Sequence, residues 1–206
     1  MLKLMVTAAA LSTAFASAPY AQERLPPVKP EQYDAAQKKA AAEFEAARKT
    51  PPTGPFAMLM RSPDVMTAAR SMGDHLRYKS AIGTTLSEMV ILIVAREWAQ
   101  DYEWSIHAPI ALSQGIAKAT VDAIADGRRP ATLSEDEAVA YDFTVELNRS
   151  HRVSDPTYAR ALKRWGEKGV VDLAAISGYY TFLAMTMNTA RTPPVPGASR
   201  LPRFPE

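Results

Sequence analysis

Glu103 and His107 stand four positions apart in DYEWSIHAPIAL, so on a helix they share one face, with the carboxylate in reach of the imidazole. Such a pair can hold a proton and pass it on. A second carboxylate, Glu88, lies in LSEMVILIVAREW. It meets the pair if the two segments form antiparallel helices, which the short connection around Asp101 and Tyr102 permits. Residues 86–112 thus gather acids, aromatic side chains and a histidine beside a strongly apolar run.

Each of these residues also has an ordinary structural reading. Thr85-Leu-Ser-Glu88 matches a capping box, which would make Glu88 a helix-start residue. His107 can be a buried histidine bonded to Glu103. Arg96 can pair with a substrate carboxylate or with a nearby acid, or lay its aliphatic stem over the core. Asp74-His75 and His151 show no partner pattern, and Tyr179 and Tyr180 read first as core aromatics with a possible reach into the same pocket.

Composition closes several classes of function. The chain contains no cysteine, which removes disulfides, thiolate metal sites, CxxC redox chemistry and a cysteine nucleophile. Its net charge is +2 and its basic residues are interspersed with acids, so the footprint of a nucleic-acid binder is missing. Three ligands on two helices without a second histidine make a thin metal site, and we expect no metal and no cofactor.

The elements that must position these residues read as helical throughout. Length and a 47% hydrophobic content suit one domain. Period-two alternation is scarce, whereas helix starts and stops recur, so the class is all-α. Residues 22–49 form a linker and an Ala/Glu/Lys-rich helical arm with Tyr33, Ala36, Ala40 and Phe44 on one stripe. Ser62-Pro63-Asp64 opens a helix whose stripe is Val65, Ala69, Met72 and Leu76.

MVILIVA (89–95) is apolar on every side and marks a central, enclosed helix. Further helices run from near Glu103 to Gly115 and from Thr120 to Gly127. Ser134-Glu-Asp-Glu137 is another capping box, and Ser154-Asp-Pro156 another start. Residues 169–190 form a long apolar helix whose Asp172, Tyr179 and Asn188 speak against a membrane span. Residues 191–206 are a Pro-rich tail. Residues 1–21 have the basic start, apolar stretch and small residues of a signal peptide, which predicts a periplasmic or secreted protein with no membrane attachment after processing.

The spacing from Glu88 to Gln100, Glu103 and His107 resembles the E…CxxCxxxH layout of the alkylhydroperoxidase D superfamily, with Gln100 and Glu103 at the cysteine positions. YEWSIH and the later ISGYYTFLAMTMNTA are similar to the carboxymuconolactone decarboxylase-like, cysteine-less branch, over residues 50–190. The resemblance implies an alkylhydroperoxidase D-like helical bundle with a small pocket between helices. It implies His107 as proton donor or acceptor, Glu88 and Glu103 as its carboxylate neighbours, and Tyr102 and Trp104 as pocket wall. It also implies a homo-oligomer, trimer or hexamer. The expected activity is that of a lyase or proton-transfer enzyme on a small carboxylated lactone or related acid, with His107 as general acid. The alternatives are a non-catalytic ligand-binding or assembly protein, and a relative of the peroxidases without thiol peroxidase activity.

Overall fold

A computed structural model describes residues 22–198 and 200–203; the signal-peptide reading of 1–21 lies outside them. Those residues form eight α-helices: α1 (Ala35–Arg48), α2 (Pro55–Leu59), α3 (Pro63–Tyr78), α4 (Thr84–Glu97), α5 (Asp101–Ser113), α6 (Lys118–Ala125), α7 (Glu135–Ser150) and α8 (Asp155–Ala190). A 3-10 turn, Pro30–Gln32, precedes α1, and no strand occurs among the described residues.

The bundle is organised around α4, in which every residue from Leu86 to Ala95 is buried. It packs against α5, α7 and α8, and more lightly against α6 and α3. A fully buried aliphatic side chain contributes about 1.5–3 kcal/mol, whereas a side-chain cap contributes about 1 kcal/mol. Burial therefore decides this helix, and α4 starts after Gly83 with no side-chain cap. The capping box expected from Thr85 to Glu88 is not formed, which leaves Glu88 free for another partner. The capping boxes that do form are at Asp34/Gln37 and Ser134/Glu137.

Helix α3 is rotated from its expected face. Its buried residues are Met66, Ala69, Gly73 and Leu76, whereas Val65 and Met72 are exposed. Pro63 takes the first helical turn, but Ser62 makes no side-chain cap. In the arm, Ala40, Ala41 and Phe44 are buried while Ala36 stays outside, and the arm docks along α3 of its own chain. Asp74 and His75 are not without partners. Asp74 binds Arg48 and Arg70, and His75 lies 3.7 Å from Asp172.

Helix α8 starts at Asp155, where Ser154-Asp-Pro156 predicts a helix start, and is broken at Gly166, whose φ of 66° and ψ of −174° suit only glycine, ahead of the long apolar segment expected from 169. By length and composition α8 is the one helix among the described residues apolar enough to cross a membrane, yet half of its most apolar window is buried inside the bundle. Its polar residues have internal tasks. Asp172 accepts the Ala81 backbone N–H at 2.7 Å and the Lys168 ammonium at 2.8 Å, tying the α3–α4 turn to α8.

Asp172→Ala removes the carboxylate that accepts from the Ala81 N–H and the Lys168 ammonium, and a hydrogen bond to a charged group contributes about 1.5–3 kcal/mol. Urea unfolding should show a lower midpoint at unchanged slope; an unaltered midpoint would remove Asp172 from the account of how α8 is held.

Candidate functional site

The site begins at a tight helical corner. Trp98 and Gln100 donate back to the Val94 and Ala95 carbonyls, and Ala99 takes a left-handed φ of 47°, so α4 stops and α5 returns within three residues. The Gln100 side chain then accepts the Tyr102 N–H at 2.7 Å, capping α5, and donates to Asn188 of α8 at 2.8 Å. Asn188 in turn donates to the Trp98 carbonyl. The corner is thereby fixed in register with α8, and this register brings Glu88 of α4 opposite His107 of α5.

His107 is held between two carboxylates. Its Nδ1 lies 2.5 Å from Glu88 Oε2, and its Nε2 lies 3.2 Å from Glu103 Oε2. All three residues are buried, with at most 4% of each exposed. Arg77 of α3 donates to the other Glu88 oxygen at 3.1 Å, and Tyr180 of α8 meets the imidazole edge-on at 5.3 Å.

Burial alone would lower the His107 pKa, but hydrogen bonds and charge from Glu103 and Glu88 outweigh it and raise the value above the ordinary 6.5. Burial alone would raise Glu88, yet His107 and then Arg77 hold its carboxyl below the usual range. The fold thus favours the imidazolium, one cation between two acids. Because the carboxylates engage opposite edges of the ring, the three groups do not converge on a common point as metal ligands would.

Glu103 and His107 face a cavity of ≈ 180 Å³ between α1, α2, α3, α5 and α8. Its walls include Phe44, Phe56, Tyr102, Tyr179 and Tyr180, and its cations are Arg48 and Arg77. Burial raises both Tyr179 and Tyr180 phenols well above their usual pKa, so neither is a ready proton source. Tyr102 also borders a second cavity, ≈ 330 Å³, lined by residues 23–27 and the Pro-rich tail. Its ring lies over Gly54, where an added Cβ would come within 2.6 Å of it and the backbone φ is 57°. Gly54 is therefore the seat of this wall.

The structure brings together Glu88, Glu103, His107 and Tyr102. It does not bring Arg96, which donates to the Pro202 carbonyl at 2.7 Å and helps hold the tail on the corner, where Leu201 is buried. Nor does it bring Trp104, whose indole is buried in the core cluster and lines no cavity at the site. Arg48 and Arg77 were not singled out from sequence. Each looks like an unremarkable surface cation at the end of an amphipathic helix, and only the α1–α3–α5 packing shows that they share a cavity.

No protein-family model and no curated protein sequence matches the chain. Its fold does match solved structures. The alkylhydroperoxidase AhpD core of a peroxidase-related protein from Ralstonia eutropha JMP134 superposes with a TM-score of 0.68 at 16% identity, covering 84% of this chain and 93% of that one. A peroxidase-related protein from Silicibacter sp. TM1040 gives 0.68 at 15%, covering 90% and 96%. The debrominase Bmp8, determined in complex with 2,3,4-tribromopyrrole, gives 0.65 at 16%, covering 84% and 91%.

Stability should follow the two shifted groups. His107 is raised in the fold, so its contribution is complete below pH ~6.5 and is lost as pH rises through the higher folded value; Glu88 is lowered, so its share is complete above ~4.5 and is lost on acidification. Unfolding free energy measured from about pH 4 to 9 should therefore decline on both sides of a plateau near pH 5–6, with the alkaline decline absent in His107→Gln. An identical alkaline limb in that variant would show that His107 is not its source.

Proposed function

From a chain built on the AhpD-core fold and carrying no thiol, we propose a proton-transfer enzyme, a lyase of the decarboxylase kind, acting on a small unsaturated carboxylic acid or lactone. The observation that carries this reading is the buried Glu88–His107–Glu103 line ending at a cavity. A thiol peroxidase needs a sulfur that can be oxidised, and Gln100 and Glu103 stand where the resemblance places the cysteines. A carboxylate there can move protons but not electron pairs between sulfurs.

Both ring nitrogens of His107 are engaged, so the imidazole works through its neighbour. Loss of CO2 breaks a carbon–carbon bond and leaves the electron pair on carbon. The imidazolium Nε2–H passes its proton to the Glu103 carboxylate, which delivers it to that carbon at the cavity wall, while Glu88 and Arg77 hold the ring in place; a proton from water recharges the imidazole for the next turnover. His107 is thus the proton reserve, and Glu103 is the group that touches substrate. The small planar ring held by a debrominase of the same fold is in keeping with a pocket of this shape.

Loss of carboxymuconolactone absorbance tests the reading directly. Glu103→Gln and His107→Gln should each reduce turnover by about 10²–10⁴-fold, the usual contribution of general acid–base catalysis. A wild-type protein that binds the lactone without consuming it would favour the non-catalytic binding role instead.

Export and assembly belong to the same proposal. The mature protein should begin near residue 22 in a periplasmic fraction, read by intact mass, and should scatter light as a trimer or hexamer at micromolar concentration. A full-length cytoplasmic monomer would overturn both.

A further inference from the structure

The cavity lining carries two chemically different groups. One is Glu103 with His107, already occupied with each other. The other is Arg48, from the C-terminal turn of α1, with Thr50 and Thr53 just beyond it. The arm helix, which lies outside the region of the sequence resemblance, therefore supplies part of the site.

Arg48 is held as a fixed cation. Its Nε and Nη2 bind Asp74 of α3 at 3.0 and 2.9 Å, and its guanidinium lies 4.5 Å over the Phe56 ring and 5.2 Å from that of Phe44. The same Asp74 also serves Arg70, at 3.0 Å, so two guanidinium groups share one carboxylate and the cluster keeps an excess of one positive charge. No hydrogen bond among the described residues uses Arg48 Nη1. A planar fork with a spare N–H edge beside aromatic walls is suited to bind a carboxylate attached to a flat ring.

Size sets the class further. A cavity of about 150 Å³ takes one benzene ring, so ≈ 180 Å³, open on one side to solvent, accommodates one ring with a carboxylate.

We propose that Arg48 is the anchor for a non-reacting carboxylate of the substrate, so that the arm helix selects planar acids and points their other end at Glu103. This rests on the cavity being the place where substrate is turned over, but its test does not depend on turnover.

Benzoate and benzamide are suitable probes, read by calorimetry and by the fluorescence of the protein's tyrosine and tryptophan. Wild-type protein should bind benzoate at least about tenfold more tightly than benzamide, and Arg48→Gln should lose roughly ten- to a hundredfold in benzoate affinity with benzamide unchanged. Asp74→Asn cuts the same contact between arm and α3 but leaves the guanidinium in place; it should keep or strengthen benzoate binding. Glu103→Gln should keep the preference for benzoate over benzamide while failing in turnover, which separates the anchor from the proton-transfer reading. Equal binding of the two probes by wild type, no benzoate binding at about 10 mM, or equal losses in Arg48→Gln and Asp74→Asn would each overturn the anchor.

Discussion

The structure depends on a buried imidazole placed between two buried carboxylates. Taking three ionisable groups out of water costs several kcal/mol each unless the charges meet at hydrogen-bonding distance. With His107 protonated, the cluster of Glu88, Glu103, His107 and Arg77 sums to zero, and every carboxylate in it has a cationic partner. With His107 neutral, one negative charge is left over in the interior. Charge balance and hydrogen bonding thus favour the same protonation state, and the folded backbone must deliver four side chains from α3, α4 and α5 to achieve it.

That requirement explains features remote from the imidazole. The α4–α5 corner tolerates a left-handed alanine because a longer loop would let the two helices slide and uncouple Glu88 from His107. Gln100 and Asn188 spend their side chains on latching this corner to α8. The tail adds a second latch: Asp101 accepts the Leu201 N–H at 3.0 Å and pairs with Arg203 at 2.6 Å. Arg96 joins from α4 through the Pro202 carbonyl. A Pro-rich segment suits this task, since it stays extended and loses little entropy on docking.

The sequence made some of this legible and hid the rest for identifiable reasons. The Glu103–His107 pair follows from helical spacing alone, and the apolar run at 89–95 marks the enclosed helix because nothing polar interrupts it. Glu88 is ambiguous in sequence, since Ser/Thr-x-x-Glu also describes a helix start; packing resolves the ambiguity by starting α4 at Thr84, two residues too early for Glu88 to act in its cap. The stripe of α3 differs from the expected one at two of its four positions because methionine occurs on both faces, and Gly73, which carries no apolar signal, lies on the buried one. It is buried because Tyr179 packs on it: an added Cβ would come within 2.4 Å of the phenol oxygen. The resemblance implies Trp104 as pocket wall and the Arg96 guanidinium suits a substrate carboxylate, but a helix turns 100° per residue, so neighbours of a site residue usually face elsewhere.

Gln100 and Glu103 stand where the sequence resemblance puts a thiol pair, and a carboxylate there does different chemistry from a thiol. A dithiol stores two electrons, so its neighbours must serve the formation and breaking of a disulfide. A carboxylate stores only a proton, and its usefulness is set by how readily it exchanges that proton with an adjacent base. Here the adjacent base is an imidazole already biased toward its charged form by a second carboxylate at its far edge. Under the proposed function the fold supplies a proton at the cavity wall without exposing the histidine, and the aromatic lining serves the same end, because Tyr180 meets the ring edge-on from α8. Selection among substrates then falls to Arg48, which the arm helix brings to the same cavity.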